Sequence, residues 1–136
     1  MKKNLTISAA CLINNYGEIL LVRKRGTTMF MQPGGKPDPG ESALQTIIRE
    51  IREELGLSFT GDELRFDGEW LGPAANEEDT LIHASLYSAA FHGELAPLAE
   101  LEELLWIDPQ AALEREDIAP LLRDHVLPLA IERSKK

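Results

Sequence analysis

The sequence predicts an α/β layered sandwich, in which a β-sheet lies between helices. Short apolar segments with the character of strands occur on both sides of residues 42–55. Residues 42–55 themselves contain no glycine or proline, and their apolar side chains recur with the period of an α-helix. A second helical segment follows the last strand, at residues 118–133. Strands and helices that alternate in this way pack as layers around a shared core.

The first two strands are predicted at residues 4–13 and 18–25. The first alternates apolar and other positions, as a half-buried strand does; its apolar positions are Leu5, Ile7, Ala9, Cys11 and Ile13. Residues 14–17 form a turn of types that tolerate positive φ. The second strand contains the apolar run 19–22, which is typical of burial on both faces. We expect Cys11 to be a small buried residue rather than a nucleophile.

A loop at residues 33–40 leads into the first helix. Its prolines and glycines exclude both a helix interior and a central strand. Residues 42–55 then place apolar side chains on one helix face, at positions 44, 47, 48, 51 and 55. Gly56 ends this helix as a C-terminal cap, and Glu41 lies at its N-terminus, where a carboxylate is favoured.

The remaining elements follow in order. Strands are predicted at residues 64–71, 80–91 and 104–107, with a loop at 72–79, and helices at 108–114 and 118–133. Asp108 caps the shorter helix, and Pro109 occupies its first position. Pro128 should bend or interrupt the longer helix.

Length, charge and cysteine content limit the classes of protein to which this chain can belong. We expect one domain over residues 1–136. The net charge of −9 and the scattered basic residues disfavour duplex nucleic acid as a partner. A single cysteine excludes an internal disulfide and suits a reducing cytoplasm. There is no apolar run long enough to span a membrane, and the N-terminal segment has the pattern of a strand rather than a targeting peptide.

Three carboxylates share one face of the first helix. Glu50, Glu53 and Glu54 are spaced i, i+3 and i+4, so like charges crowd one patch and destabilise the helix. Arg49 and Arg52 offer partial relief of this repulsion but are expected to lie off the patch itself. A hard divalent cation would relieve the repulsion, since Mg²⁺ prefers carboxylate oxygens and retains waters for substrate phosphates.

Residues 35–57 carry a specific motif, GKPDPGESALQTIIREIREELGL. Its fixed positions are Gly35, Glu41, Arg49, Glu50, Ile51, Glu53, Glu54, Gly56 and Leu57. This pattern resembles the Nudix box, and the chain looks like a small, MutT-like Nudix hydrolase. The resemblance implies the Nudix fold, a mixed β-sheet sandwiched between helices. It also implies Mg²⁺-dependent hydrolysis of a diphosphate linkage, with Mn²⁺ as a substitute.

The resemblance implies a set of site residues. Glu50, Glu53 and Glu54 would be metal ligands, joined by the Gly34 carbonyl, and Arg49 would orient them. The general base would be Glu50 or Glu53. Glu41 would be a further ligand or a structural anchor, with the ligand role preferred. Glu100 or Glu103 would supply another ligand or a base, with Glu100 preferred.

The substrate would be a nucleoside diphosphate linked to another group. Arg23 and Lys36 are the expected phosphate contacts. Base recognition would come from aromatic and amide side chains, with Phe30, Trp70, Asn76, Tyr87 and His83 as candidates. A nucleoside triphosphate, intact or modified, is the leading substrate, cleaved to the monophosphate and pyrophosphate. The alternatives are an ADP-ribose or nucleotide-sugar pyrophosphatase, and a non-catalytic nucleotide-binding module. The protein would be cytoplasmic, as a monomer or homodimer.

Overall fold

The computed structural model describes residues 3–74 and 78–134, and these form a mixed β-sheet between two helical layers. The strands are β1 (Lys3–Ile13), β2 (Ile19–Lys24), β3 (Gly34–Gly35), β4 (Arg65–Pro73), β5 (Thr80–Ala90) and β6 (Leu101–Ile107). The helices are α1 (Ala43–Leu55), α2 (Pro109–Leu113) and α3 (Leu127–Ser134). The main path of the sheet has the order β4-β5-β1-β2-β6, and β3 pairs with β1. This architecture confirms the predicted fold class.

Strand β1 is the centre of the sheet. It runs parallel to β5 from Lys3↔Thr80 to Ile13↔Ala90, and antiparallel to β2. Asn14 forms the turn to β2, because its Oδ1 accepts hydrogen bonds from the backbone nitrogens of Tyr16 and Glu18. The parallel pairing of β1 with β5 is what makes the sheet mixed.

Helix α1 begins and ends where the sequence predicts, to within one residue. Ser42 Oγ accepts a hydrogen bond from the Gln45 backbone nitrogen, and Gln45 Oε1 accepts one from the Ser42 backbone nitrogen. This capping box satisfies two of the donors that the first turn leaves free. Gly56 ends the helix in the left-handed conformation, and its backbone nitrogen donates to the Arg52 carbonyl.

Two apolar layers hold the sandwich together. Ile47, Ile51 and Leu55 of α1 pack on one face of the sheet, and the C-terminal segment around Leu122 and Leu127 packs on the other. Residues 19–22 contribute to both layers in alternation, which confirms that β2 is buried on both faces. Cys11 is buried, as predicted, and burial raises the pKa of its thiol to about 12.

Three strand predictions need correction. Strand β4 continues through Gly72 and Pro73, which were predicted as the start of the loop 72–79, because both residues pair with β5. The predicted loop 33–40 contains β3, whose residues pair with Ser8 and Ala9 of β1. Glycines have no side chain with which to show strand periodicity, so this pairing leaves no signal in the sequence. Strand β6 starts at Leu101 rather than at 104, because the acidic residues before Leu104 extend its pairing with β2.

The last helix also differs from its predicted form. Helical backbone starts at Pro120 rather than at 118, because Ile118 forms a bridge with Phe30. The expected interruption at Pro128 is a π-helical turn at Leu122–Val126. Proline lacks an N–H group and crowds the carbonyl four residues earlier, and the wider turn before it accommodates both effects.

Candidate active site

The two glycines of β3 bring the backbone close to β1 and to α1. Gly34 has a φ of +154°, and a Cβ built on it would overlap the Ser8 carbonyl oxygen. A Cβ on Gly35 would lie 2.5 Å from a carboxylate oxygen of Glu50. Gly34 is therefore required for the close approach of β3 to β1, and Gly35 leaves room for the Glu50 carboxylate.

Glu54 is anchored beneath this strand. Its side chain is 2% exposed, and Oε1 accepts a hydrogen bond from the Gly34 backbone nitrogen at 3.0 Å. Oε2 is buried and has no hydrogen-bond partner among the residues that the structure describes. Burial raises the pKa of the carboxyl to about 8, against the Gly34 hydrogen bond, and the neighbouring charge of Glu50 adds to the rise.

Arg49 connects the other acidic residues. Its guanidinium donates to both oxygens of Glu41, at 2.8 and 2.9 Å, and to the Lys36 carbonyl at 2.8 Å. Nη1 also donates to Glu50 at 2.6 Å and to Glu53 at 3.0 Å. The expectation that Arg49 lies off the carboxylate patch is therefore wrong. A long side chain follows its charged partners, and the position of its Cα does not fix where the guanidinium lies.

Glu41 is fully engaged in this network. Besides Arg49, it accepts hydrogen bonds from the Asp38 backbone nitrogen at 2.7 Å and from Thr46 Oγ1 at 3.2 Å. The Arg49 hydrogen bonds lower the pKa of Glu41 to about 2, and the Asp38 amide contributes in the same direction. Of the two alternatives for this residue, the geometry favours the structural anchor.

The carboxylates of α1 differ in their surroundings. Burial raises the pKa of Glu50, while its hydrogen bond to Arg49 opposes the rise. The side chain of Glu53 is 49% exposed. No three acidic, histidine or cysteine side chains within residues 3–74 and 78–134 converge as a ready-made metal site. Arg49 donates to one oxygen of Glu50 and to one of Glu53. The unpartnered Oε2 of Glu54 and its carboxylate neighbours are nevertheless the hard oxygen donors that suit Mg²⁺.

A cavity of about 450 Å³ opens beside this cluster. Its polar end is lined by Lys24, Lys36, Asp38, Arg49, Glu50 and Glu100. Its apolar end lies between the sheet and the C-terminal segment and is lined by residues such as Ile7, Trp70, Ile82 and Leu121. One charged end and one apolar end suit a ligand that carries phosphates on a ring system.

Only one of the two expected phosphate contacts lines the cavity. Lys36 lines the cavity, but Arg23 does not: it donates to Glu103 Oε1 and to the Thr27 carbonyl, each at 2.8 Å. Lys24 lines the cavity instead, with its Nζ 3.4 Å from Glu100 Oε1.

The alternation of side chains along β2 could have identified Lys24 from the sequence. Lys24 lies two residues after Val22 and so shares its face of the strand, and Val22 packs on the α1 layer. Glu100 also lines the cavity, whereas Glu103 is paired with Arg23 outside it.

Of the candidates for base recognition, Trp70 lines the cavity. Phe30 is buried under the Arg115 guanidinium, which lies 5.2 Å from the ring centroid, and Tyr87 is buried against Phe66. His83 contacts Glu69 at 2.8 Å on the exposed surface. Asn76 lies outside the described residues. Sequence reasoning missed Gln32, a buried amide in the cavity wall.

A family model described as NUDIX domain matches residues 2–128. This chain belongs to the NUDIX family. The Nudix chain is 32% identical over 111 residues to the CTP pyrophosphohydrolase of Escherichia coli (strain K12), and the alignment covers 77% of each protein. It is 36% identical over 75 residues to the 8-oxo-dGTP diphosphatase of Haemophilus influenzae, covering 51% of this chain and 55% of that one.

The fold of this Nudix protein matches solved structures over its whole length. A MutT protein from Methanosarcina mazei Go1 has a TM-score of 0.81 at 22% identity, covering 99% of this chain and 98% of that one. The family resemblance of the sequence and its assignment as a Nudix-type hydrolase are thereby confirmed. Within residues 3–74 and 78–134, no helix has both the length and the apolar character needed to cross a membrane.

Proposed function

We propose that this Nudix hydrolase cleaves the diphosphate linkage of a nucleoside triphosphate, releasing the monophosphate and pyrophosphate. One observation carries the proposal: Glu50 of the acidic cluster lines the same cavity as Lys24 and Lys36. A polyphosphate at this end of the cavity would meet two lysines, and carboxylates that suit a divalent cation would lie beside it. Two relatives are named for their action on CTP and on 8-oxo-dGTP, and these names support a triphosphate substrate.

The donor set fits Mg²⁺ or Mn²⁺. Glu50, Glu53 and Glu54 would hold the ion together with the Gly34 carbonyl, and Glu100, which lines the same cavity, would contribute a further oxygen. When bound, the ion would neutralise phosphate charge and activate water. The buried Oε2 of Glu54 is the feature that most directly supports a cation here, because it is a carboxylate oxygen without a partner among the described side chains.

The residues of the chain itself would bind and orient the substrate. Lys36 and Lys24 would contact phosphate oxygens, in which role Lys24 replaces the predicted Arg23. Arg49 would fix the positions of the carboxylates through its hydrogen bonds to Glu41, Glu50 and Glu53. Glu50 or Glu53 would accept the proton of the attacking water, since both belong to the cluster and neither is sequestered as Glu54 is.

The test is metal-dependent turnover across a panel of nucleotides, measured as phosphate and pyrophosphate release. The panel contains canonical and oxidised deoxynucleoside triphosphates, ribonucleoside triphosphates, ADP-ribose and nucleotide sugars, each with Mg²⁺ and with chelator. Glu53→Gln should remove most turnover and leave the fold intact. The matched control is Glu132→Gln, on an exposed position of α3.

The outcomes separate the alternatives. Pyrophosphate release from triphosphates, lost with chelator and in Glu53→Gln, would support the proposal. Turnover of ADP-ribose or nucleotide sugars, but not of triphosphates, would show that the site acts on those compounds and would overturn the proposed substrate. Nucleotide binding without turnover of any compound would identify a binding module and overturn the proposal.

A further inference from the structure

Lys24 is a cation placed beside the acidic cluster that Glu50, Glu53 and Glu54 form on α1. Its Nζ lies 3.4 Å from Glu100 Oε1, and both residues line the cavity together with Glu50. Burial raises the pKa of Glu50 and of Glu54, and the positive charge of Lys24 acts against both rises. Lys24 is therefore a counter-ion both to Glu100 and to the carboxylates of the helix.

The sheet fixes the backbone of Lys24 and of Glu100. The register of β2 against β6 shifts between Arg23 and Lys24, and a bulge of this kind redirects side chains and is common beside active sites. The Lys24 carbonyl accepts hydrogen bonds from the Thr27 backbone nitrogen at 3.1 Å and from Thr27 Oγ1 at 2.8 Å. The Glu100 carbonyl accepts one of 2.8 Å from the Arg25 backbone nitrogen. The two residues are thus held side by side, while the long lysine side chain can still change rotamer.

The two cations of the cluster differ in how firmly they are held. Arg49 donates to Glu41, Glu50 and Glu53 at distances between 2.6 and 3.0 Å, so its guanidinium cannot leave without breaking several hydrogen bonds. The ion pair of Lys24 is a longer contact between partly exposed side chains, 31% and 59% exposed for Lys24 and Glu100. Ion pairs of this kind contribute little free energy. Lys24 is therefore the cation that another ligand of Glu100 could displace.

The proposed function assigns the two members of this pair to different ligands. The Lys24 ammonium would contact substrate phosphate, and the Glu100 carboxylate would contribute an oxygen to the divalent cation. An ion bound at Glu100 would bring its charge close to the ammonium, and the two positive charges would repel each other. Phosphate oxygens would offer the displaced ammonium charge-assisted hydrogen bonds in exchange.

We propose that Lys24 supplies the counter-charge of the acidic cluster when no divalent cation is bound, and that the cation displaces its ammonium from Glu100 toward the substrate phosphates. This inference rests on the proposed function, because it uses the metal site of that proposal. Lys24 and the cation would compete in the absence of nucleotide. With nucleotide present, the bound cation would free Lys24 for the phosphates, so the two ligands would favour each other's binding.

The test measures the dissociation constant of Mn²⁺ for the protein without nucleotide, by titration calorimetry and by electron paramagnetic resonance. Because the competing charge is removed, Lys24→Met should bind Mn²⁺ about two- to fivefold more tightly than the wild type, the range of a partly exposed ion pair. A lysine that only contacts phosphate would leave the dissociation constant unchanged, and a lysine that organises the carboxylates for the metal would make Lys24→Met bind more weakly. Either of these results would overturn the inference.

Arg25→Met is the matched control. It removes the same charge from the next residue, whose side chain is 68% exposed and pairs with Glu102 at 3.5 Å. This variant should bind Mn²⁺ as the wild type does, which separates competition at the cluster from a change in net charge. Thermal unfolding gives a second measurement: at one Mn²⁺ concentration, Lys24→Met should gain a larger rise in Tm over its value in chelator than the wild type or Arg25→Met.

The inference and the proposed function fail in different ways. If the wild type binds Mn²⁺ and Lys24→Met binds it no more tightly, the inference is overturned and the function stands. If the wild type binds no Mn²⁺, the metal site of the proposed function is wrong, and the inference is overturned with it.

Discussion

The Gly34 backbone nitrogen donates to Oε1 of Glu54 at 3.0 Å, while Oε2 of the same carboxyl is buried without a partner in the described structure. One oxygen thus fixes the helix to the short glycine strand, and the other is buried without a hydrogen bond to the described residues. Because burial dominates, the pKa of Glu54 rises to about 8. Without a cation, the native state therefore favours a protonated Glu54 near neutral pH.

The stability of the metal-free protein should fall as pH rises between about 4.5 and 8. In this window the native Glu54 holds a proton that the unfolded chain has lost, so the free energy of unfolding decreases by up to about 1.4 kcal/mol per pH unit. Glu54→Gln retains an acceptor for Gly34 and should remove this part of the slope. Urea unfolding in chelator at pH 5, 6.5 and 8 measures the effect, with Glu132→Gln as the control. Equal slopes in the wild type and Glu54→Gln would contradict the pKa assignment.

Arg49 should not be replaceable by lysine. Its guanidinium reaches Glu41, Glu50 and Glu53 at once, with two parallel hydrogen bonds to Glu41. A lysine ammonium is a single point and cannot hold this geometry. We expect Arg49→Lys to lower kcat by about 10- to 100-fold and to raise the Mg²⁺ concentration needed for half-maximal turnover.

The matched control for this prediction is Arg52→Lys, an exposed position on the same helix. It should retain wild-type kcat and Mg²⁺ dependence. Thermal unfolding of both variants shows whether the folded fraction has changed. Wild-type turnover in Arg49→Lys would mean that a positive charge alone, without the several hydrogen bonds of the guanidinium, holds the carboxylates in place.

Local patterns in the sequence predicted most of the fold. Helix α1 was located to within one residue because its apolar period and its C-terminal glycine are both local signals. The strands β1, β2 and β5 were found for the same reason. Strand β3 was missed because the pairing of Gly34–Gly35 with β1 depends on close approach of backbones from distant parts of the chain.

The site was predicted less completely than the fold. The Nudix box identified the acidic cluster, since its spacing is fixed within one helix and one loop. The choice between Arg23 and Lys24 depends on which face of β2 borders the cavity, and that is settled by the packing of α1 and the C-terminal segment. Gln32 has no motif at all. It can be found only from the folded structure, where it lines the cavity and its buried Oε1 has no hydrogen-bond partner among the described residues.

Lys24 and Arg23 should differ in their effect on substrate binding. Lys24 lines the cavity beside Glu100, whereas Arg23 is paired with Glu103 outside it. We expect Lys24→Met to raise KM for a nucleoside triphosphate by about tenfold, the worth of one charge-assisted hydrogen bond. Arg23→Met removes the same charge from the neighbouring position and should change KM by less than about twofold, since surface ion pairs contribute little. Steady-state kinetics of the two variants decide the assignment, and a larger effect from Arg23→Met would restore the original prediction.

Gly72 should act on the substrate only through Trp70. A Cβ at Gly72 would overlap the indole, so Gly72→Ala must displace the ring from its place in the cavity wall. We expect kcat/KM to fall by about tenfold, comparable to the loss of one stacked base. In a Trp70→Leu background, Gly72→Ala should have almost no further effect, because the group that it displaces is absent. This double-mutant cycle separates displacement of the ring from a general disturbance of β4. Equal losses from Gly72→Ala in both backgrounds would show that the glycine serves the strand itself rather than the position of the ring.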